Sequence, residues 1–233
     1  YIFLKMNNYF IILAAGKGTR FRKRQKKQYA QYKNLRLFEH SLFKAIKSKL
    51  FKKIILVSDS PKKLKNLVPK EIIILKGGSK RSVSSLIALK YLKKLKPKNI
   101  LIHDAARPDF SINLLKRIVN NLKKNQAVIP AINPIDSIKY NFKKNFYNLN
   151  KNKALLTQTP QGFNFNSLYK LAINEKNDIA DEASLFINND KTIKFISGEK
   201  KNKKITYSDD LKMNTNYVGI GFDIHRLIKD KSL

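Results

Sequence analysis

The chain has 233 residues, a hydrophobic fraction of 42% and no cysteine, which argues against general disorder and excludes disulfides and thiolate chemistry. Its 49 basic and 16 acidic residues give a formal net charge of +33, which is typical either of a nucleic-acid binder or of a protein that captures anionic substrates. No apolar run approaches the roughly 20 residues of a membrane span, so we expect a cytoplasmic protein without a membrane partner.

Short apolar runs alternate with helical patterns along the first 132 residues. The predicted strands are residues 9–14, 53–58, 71–75, 99–103 and 126–132, and the predicted helices are residues 38–50, 81–95 and 111–124, with Ser111 as an N-cap. Runs this rich in branched residues are typical of parallel strands buried on both faces. The alternation therefore predicts a doubly wound, mostly parallel α/β fold, in which ligands bind beyond the carboxyl ends of the strands.

The pattern changes after Pro134. Residues 136–152 are rich in lysine and asparagine and contain two strand-like pieces, at 137–142 and 146–149, which predict an extended arm or hairpin outside the core. Beyond the arm, the predicted helices are residues 164–174 and 181–188, and the predicted strands are residues 192–196 and 204–207.

The first predicted strand runs into a glycine-rich loop, Ala14 to Arg20. Small residues directly after a buried strand let backbone N–H groups approach a polyphosphate closely. The loop matches neither the Walker A pattern nor the dinucleotide fingerprint. Arg20 and Lys27 would bring two cations to a triphosphate. They belong to a basic run, residues 20–27, that is also compatible with a solvated surface. The residues alone leave a phosphate-binding loop and a plain tight turn both open.

A series of motifs then points to a family. LAAGKGTR, ending at Arg20, and the following Lys27-Gln28-Tyr29 resemble the 2-C-methyl-D-erythritol 4-phosphate cytidylyltransferases. The resemblance continues in order through Phe38-Glu39-His40-Ser41, Gly77-Gly78 with Arg81 and Ser84, His103-Asp104-Ala105-Ala106-Arg107-Pro108, Asp136-Ser137-Ile138-Lys139, Thr159-Pro160-Gln161 and Asp181-Glu182-Ala183-Ser184. Each motif is weak, but their joint order across residues 9–214 is highly specific.

The resemblance implies a Rossmann-like nucleotidyltransferase that transfers CMP from CTP to 2-C-methyl-D-erythritol 4-phosphate, a sugar-alcohol phosphate, and releases pyrophosphate. It implies three catalytic cations, Arg20, Lys27 and Lys204. The implied nucleotide-binding residues are Ala14, Ala15, Gly16, Gly18, Gly78, Ser84 and Ala105. Among these, Gly78 and Ser84 would read the edge of the cytosine.

The implied substrate-binding residues are Arg107, Ser137, Lys151 and Thr159. Asp104 would meet a Mg²⁺ that is held chiefly by phosphate oxygens and water; a helix cap or a partnership with Arg107 is the structural alternative. In this family the arm, residues 136–152, crosses a dimer interface. Ser137 and Lys151 would then serve the partner's site in a homodimer.

No general base is needed in this reaction, because a phosphate monoester is already ionised at neutral pH. His40 and His103 are therefore expected to have hydrogen-bonded packing roles. The chain departs from the family pattern at four positions. Lys26 replaces a proline and is expected to loosen the loop, Lys151 replaces an arginine, Ser137 replaces a threonine, and Ala180 replaces a hydroxyl residue.

The end of the chain resembles a second enzyme. We predict a cytidylyltransferase domain over residues 1–214, followed by a short segment, residues 215–233. Its string GIGFDIHR resembles the start of 2-C-methyl-D-erythritol 2,4-cyclodiphosphate synthase, which implies a truncated bifunctional protein. Asp223 and His225 alternate on a predicted strand and would share a divalent metal such as Zn²⁺. This second site would be incomplete, because a third ligand is required.

Two alternatives to the leading function remain. Ribitol-5-phosphate cytidylyltransferases share the fold, and the nucleotide loop does not discriminate between the two substrates. The net charge would also suit a nucleic-acid binder. However, arginine accounts for just 8 of the 49 basic residues and the lysines are spread along the whole chain, whereas phosphate-gripping surfaces usually rely on arginine. We therefore expect no nucleic-acid partner.

Overall fold

The computed structural model describes residues 7–21 and 25–211. The strands, in chain order, are β1 (Asn8–Ala14), β2 (Gln31–Tyr32), β3 (Leu35–Arg36), β4 (Lys53–Ser58), β5 (Ile73–Lys76), β6 (Asn99–Asp104), β7 (Ala127–Ile132), β8 (Ile138–Phe142), β9 (Asn145–Leu149), β10 (Leu156–Thr157), β11 (Gln161–Asn164) and β12 (Lys194–Ser197). The α-helices are α1 (Leu37–Ser48), α2 (Pro61–Leu64), α3 (Arg81–Lys93), α4 (Ile112–Asn121), α5 (Phe165–Asn174) and α6 (Ala183–Ile187).

Eight of the described strands form one open sheet, in the order β10-β7-β11-β6-β1-β4-β5, with β12 also paired to β7. β1 lies between β4 and β6 and pairs in parallel with both, and β4 pairs in parallel with β5. β11 is antiparallel to its neighbours β6 and β7. The predicted mostly parallel sheet is confirmed, and the antiparallel β11 inside it is an addition that the sequence pattern did not predict.

Helices cover both faces of this sheet. Because side chains alternate along a strand, Phe10 and Ile12 of β1 pack in one cluster with residues of α1 and α4. Ile11 and Leu13 pack on the opposite face with residues of α3, α5 and α6. The continuous apolar run of β1 is therefore explained by burial on both sides, as in doubly wound folds.

Most predicted elements lie within one to three residues of the observed bounds. The predicted strand at 53–58 matches β4, and Ser111 caps α4 as expected, because its Oγ accepts from Leu114 N at 3.0 Å. The strand predicted at 204–207 is wrong. The Asp210 carboxylate accepts from the N–H groups of Thr206 and Tyr207 at 2.6 and 2.8 Å, so these donors do not join a sheet.

The predicted arm is a two-stranded hairpin, confirmed by the antiparallel pairing of β8 with β9. Lys143 and Lys144 form its turn with positive φ angles of 49° and 70°. In the described structure the hairpin is a separate sheet from the eight-stranded one. Its apolar side chains are exposed, Phe146 by 75% and Phe142 by 56%, so the single chain leaves an apolar arm uncovered.

Several predicted positions lie outside the described residues. They include Asp223 and His225 with the whole of residues 215–233, and part of the basic run, residues 22–24. Among the helices that are described, none combines the length and the apolar character that crossing a membrane requires.

Candidate functional site

A cleft of about 350 Å³ opens beyond the carboxyl ends of β1 and β6. The two strands are parallel neighbours with Leu13 opposite Asp104, so the segments that follow them leave the sheet at the same edge. Nine of the residues predicted for the site line this cleft: Ala14, Ala15, Gly16, Gly18, Lys27, Ser84, Asp104, Ala105 and Lys204. Residues separated by up to 190 positions in the sequence are thus brought together as predicted.

The glycine-rich loop lines the cleft from Ala14 to Thr19. Gly18 has a φ of 65°, which favours glycine because a side chain is strained there. Its carbonyl accepts from Phe21 N at 2.9 Å, which closes a short turn over Thr19–Phe21. Gly16 and Lys17 are exposed. The loop therefore presents an open stretch of backbone to the cleft.

Positive charge is concentrated around this loop. Burial lowers the pKa of Lys27, and the nearby charges of Lys204 and Arg20 lower it further, whereas Asp104 opposes them. Lys27 is half-buried and Arg20 is exposed. Arg20 and Lys204 therefore both lie close enough to Lys27 to repel it, and a bound polyanion would relieve this repulsion. The structure thus brings the three predicted catalytic cations together.

Asp104 is the carboxylate of the cleft, and it accepts from two cations. Its Oδ1 accepts from Arg81 Nε at 3.0 Å and its Oδ2 from Lys204 Nζ at 2.7 Å. Burial alone would raise its pKa, but Arg81 and Lys204 outweigh burial and hold the pKa of Asp104 well below its usual range. The side chain is therefore ionised, and its position is set from two sides.

Arg81 also binds a second carboxylate, that of Glu182. The guanidinium donates to both oxygens of Glu182 at 2.8 Å each, and Glu182 is 1% exposed. Burial lowers the pKa of Arg81, but the charges of Glu182 and Asp104 raise it overall. The sequence assigned no role to Glu182. Its motif was recognised, but no local signal shows that its partner is 101 residues away.

Arg107 does not form an ion pair with Asp104. The alternative in which Asp104 serves as the partner of Arg107 is therefore wrong. Its guanidinium instead donates to the carbonyls of Asn202 and Thr157, at 2.9 and 3.4 Å. Burial lowers its pKa, although Asp104 partly offsets this. Arg107 is not among the residues that line the cleft. Its substrate-binding role stays a prediction, and in this structure it ties β10 to the segment that carries Lys204.

The hydroxyl of Ser84 is already engaged within the protein. It accepts from Gly78 N at 3.1 Å and donates to Lys80 O at 3.0 Å, so it holds the loop before α3 in place. Ser84 lines the cleft, whereas Gly78 does not. Recognition of the base by Gly78 and Ser84 stays a prediction. To contact the base, the Ser84 hydroxyl would have to do so while it is bonded to Gly78 N and Lys80 O.

The loop before α3 comes very close to the first loop at Gly77. A Cβ added to Gly77 would lie 2.2 Å from Ala15 Cβ, which is shorter than any real contact. We expect Gly77→Ala to destabilise the fold by about 1–3 kcal/mol, because one of the two loops must move. Urea unfolding measures this loss.

Gly16→Ala is the matched control, since nothing lies within 4 Å of its added Cβ. It should leave the free energy of unfolding close to that of the wild type, even though it lies on the exposed loop. Equal stabilities for the two variants would contradict the steric argument.

Three of the predicted substrate-binding residues are not open to the cleft of a single chain. Thr159 is 4% exposed, and its hydroxyl accepts from Asp104 N and bonds to His103 Nδ1, both at 3.1 Å. Ser137 and Lys151 are exposed at the base of the arm, where Lys151 Nζ donates to Ile135 O at 3.1 Å. Their roles toward a substrate remain predictions.

Both histidines have the packing roles that were expected, so this prediction is confirmed. His103 is fully buried and bonds through its two ring nitrogens to Thr159 Oγ1 and Arg107 O, both at 3.1 Å. It also packs against Phe110 with ring centroids 4.4 Å apart. His40 Nε2 bonds to Tyr32 O at 2.6 Å. Both rings hold backbone segments in place.

His103 predicts how stability depends on pH. Burial lowers its folded-state pKa to about 3, against about 6.5 in the unfolded chain. Between these values the unfolded state binds a proton that the folded state does not. Stability should therefore fall as the pH drops from about 6.5 toward 3, by at most about 1.4 kcal/mol per pH unit from this group.

Urea unfolding at pH values between 7 and 4 measures this slope. His103→Asn should give a shallower slope than the wild type, whatever its stability at pH 7. An identical slope in the two proteins would show that another group is responsible.

The carboxylate of the cleft, Asp104, fits a metal ion that enters together with a bound polyphosphate. No group of three or more His, Asp or Glu side chains with metal-binding geometry occurs within residues 7–21 and 25–211. Asp104 lines the cleft as a single ionised carboxylate. Mg²⁺ in phosphate sites typically takes one or two carboxylates and fills its remaining positions with phosphate oxygens and water. Asp104 therefore fits a Mg²⁺–polyphosphate complex better than a resident ion.

Comparisons with known proteins give a consistent set of matches. The model of the IspD family, 2-C-methyl-D-erythritol 4-phosphate cytidylyltransferase, matches residues 9–219. The chain is 44% identical to the bifunctional enzyme IspD/IspF of Pelagibacter ubique, over 98% of the chain and 62% of that protein. It is 34% identical to the 2-C-methyl-D-erythritol 4-phosphate cytidylyltransferase of Thermosipho melanesiensis, over 88% of the chain and 94% of that protein.

Solved structures have the same fold. The bifunctional IspDF of Campylobacter jejuni superposes with a TM-score of 0.78 at 28% identity, over 88% of this chain and 53% of that one. The cytidylyltransferase of Francisella tularensis gives a TM-score of 0.75 at 29% identity, over 88% of this chain and 96% of that one. The chain thus spans less than two thirds of the bifunctional proteins from Pelagibacter and Campylobacter.

Proposed function

The chain belongs to the 2-C-methyl-D-erythritol 4-phosphate cytidylyltransferase family, and from this membership we propose that it transfers CMP from CTP to 2-C-methyl-D-erythritol 4-phosphate, a step of non-mevalonate isoprenoid biosynthesis. One observation carries the proposal: Lys27 and Lys204 flank the glycine-rich loop in a single cleft beside an ionised Asp104. A cleft with this charge distribution suits a triphosphate and a second phosphate.

The chemistry needs positioning and charge stabilisation. A phosphate oxygen of the substrate attacks the α-phosphorus of CTP, the bond from that phosphorus to the bridging oxygen breaks, and pyrophosphate leaves. The nucleophile is already ionised, so no side chain has to accept a proton. Negative charge builds up on the α-phosphoryl oxygens and on the leaving group, and Lys27, Lys204 and Arg20 would stabilise it.

Asp104 would hold Mg²⁺ when the nucleotide is bound, and the ion would help to neutralise the charge of the triphosphate. Arg81 keeps Asp104 in place and ionised through Oδ1. Lys204, which pairs with Oδ2, has a side chain that is 38% exposed. Its amine would therefore be available to phosphate oxygens once a polyphosphate enters the cleft.

A direct assay tests the proposed reaction. The protein is incubated with CTP, Mg²⁺ and 2-C-methyl-D-erythritol 4-phosphate, and pyrophosphate release is measured beside a parallel reaction with ribitol 5-phosphate. We expect release with the first substrate at a kcat/KM well above that for ribitol 5-phosphate. A higher kcat/KM with ribitol 5-phosphate would show that this is the preferred substrate. If neither substrate gave pyrophosphate release, the proposed activity would be refuted.

The nucleic-acid alternative makes a different prediction. A basic binder should hold DNA or RNA with an affinity that falls steeply with salt and that does not depend on Lys27. Weak binding of DNA and RNA at physiological salt would dismiss this alternative. A reaction that consumes CTP belongs in the compartment that supplies nucleoside triphosphates, so the proposal also assigns the protein to the cytoplasm.

We further propose that the chain forms a homodimer through its arm. The exposed side chains of Phe142, Phe146 and Leu149 support this, because an uncovered apolar hairpin favours association. Light scattering should give about twice the 27.0 kDa of one chain. Phe146→Lys should lower that mass, whereas Phe43→Lys, on the exposed face of α1, should not. A wild type of monomer mass would contradict the proposal.

A further inference from the structure

Lys27 lies on a single short turn, Lys27–Tyr29, whose neighbours are anchored to one side chain. Gln28 Nε2 donates to Asp59 Oδ1 at 3.1 Å and Tyr29 OH donates to the same oxygen at 2.8 Å. Lys26, directly before the turn, forms an ion pair with Asp59 Oδ2. The residues on both sides of Lys27 are thus attached to one carboxylate at the end of β4.

The backbone of Lys26 supports the same conclusion. Its φ of −64° and ψ of 138° lie in the region that a proline ring imposes. The resemblance to the family predicted proline here and a looser loop with lysine. The structure instead gives Lys26 a proline-like backbone and a side-chain anchor to Asp59, which supplies by charge part of the constraint that a ring would supply covalently.

Asp59 is suited to this role by its surroundings. Burial raises its pKa, but the hydrogen bonds from Lys26, Tyr29 and Gln28 lower it overall, so the carboxylate is ionised. Burial also raises the pKa of Tyr29 to about 12, which keeps that hydroxyl a donor. An exposed ion pair alone contributes little. An ionised acceptor that serves several donors forms a stronger network.

We propose that Asp59 is a positioning residue for Lys27. Through its bonds to Lys26, Gln28 and Tyr29, Asp59 holds the turn in the place that a proline at position 26 would fix by itself. The inference rests on the proposed function and deepens it. Asp59 is not among the residues that line the cleft, so it would act on the reaction through Lys27. Small displacements of a transition-state cation are costly, up to about 10²-fold for a misplacement near 1 Å. We expect Asp59→Ala to lower kcat by about 10- to 100-fold.

Substitutions at Lys26 distinguish positioning from a general loss of charge. Lys26→Ala should lower kcat, whereas Lys26→Pro should keep kcat near that of the wild type, because proline holds the same φ. Lys33→Ala is the matched control. It removes an ion pair with Asp109 of similar exposure and should leave kcat unchanged. The proposal would be overturned if Asp59→Ala had the kcat of the wild type. It would also be overturned if Lys26→Pro lowered kcat as much as Lys26→Ala does.

The coupling between Asp59 and Lys27 is tested by combining their variants. If Asp59 acts through Lys27, adding Asp59→Ala to Lys27→Ala should cost little further activity. The same fold-loss in both backgrounds would show that Asp59 acts elsewhere. Thermal unfolding checks that each variant folds, and if Asp59→Ala does not fold, Asp59→Asn and Lys26→Ala carry the same comparison.

CTP binding keeps this test separate from the proposed reaction. If the wild type releases no pyrophosphate, the proposed function has failed, and isothermal titration with CTP and Mg²⁺ then decides the role of Asp59. Asp59→Ala should weaken CTP binding several-fold, and Lys33→Ala should not. Equal CTP affinities in Asp59→Ala and the wild type would overturn the positioning role independently of turnover.

Discussion

Lys27→Ala should lower kcat by about 10²–10³-fold, or about 3–4 kcal/mol of transition-state stabilisation. The lysine lines the cleft beside the glycine-rich loop, and Lys204 is close enough to lower its pKa. Its charge would act on the phosphoryl oxygens as they become more negative during the transfer. Steady-state pyrophosphate release at saturating CTP measures the effect, because it separates kcat from changes in KM.

Two further variants define what that loss means. Lys47→Ala removes an exposed lysine of α1 and should leave kcat unchanged, which excludes an effect of net charge alone. Lys27→Arg keeps the charge and should retain more activity than Lys27→Ala. A kcat for Lys27→Ala within a factor of three of the wild type would contradict the role of this lysine.

Glu182→Gln should reduce the free energy of unfolding by about 3–5 kcal/mol, the usual cost of removing one partner from a buried ion pair. Glu182 is 1% exposed and accepts two hydrogen bonds of 2.8 Å from Arg81. Glutamine keeps the shape but removes the charge and replaces one acceptor with a donor. Arg81 would then retain Asp104 as its charged partner. Urea unfolding followed by circular dichroism measures the change.

Asp178→Asn provides the matched control for this prediction. Asp178 pairs with Lys80, the residue before Arg81, but both side chains are about half exposed, 59% and 49%. Its loss should cost far less than the loss of Glu182, because an exposed ion pair contributes little. A similar cost for the two substitutions, or a loss below about 1 kcal/mol for Glu182→Gln, would show that burial does not determine the strength of the Arg81–Glu182 pair.

The parallel strands could be predicted because their physical cause is local. A strand buried on both faces is apolar at most positions, so the central parts of β1, β4 and β6 appear in the sequence as runs of branched residues. β11 has the sequence QGFN and gives no such signal. It belongs to the sheet through its pairing with β6 and β7, and Gly162 lets α4 pack closely on it, since an added Cβ would lie 2.4 Å from Ile118 Cγ2.

The family motifs predicted most of the cleft, but not how its charges are connected. Arg81 and Glu182 were recognised as members of two separate motifs. Their pairing depends on where α3 and the segment before α6 meet, and no periodicity encodes that approach. Asp59 was missed for the same reason, because its partners Lys26 and Tyr29 lie about 30 positions earlier in the chain.

By itself the sequence determined the alternation of strands and helices, the glycine-rich loop at the end of β1 and the family to which the motifs belong. These features depend on residue type and short spacing, which hydrophobic burial and backbone freedom set locally. The tertiary structure alone decided that Asp104 is shared by Arg81 and Lys204, and that Lys26 forms an ion pair with Asp59. Ion pairs of this kind depend on distances between segments far apart in the chain, and only the folded arrangement of those segments sets the distances.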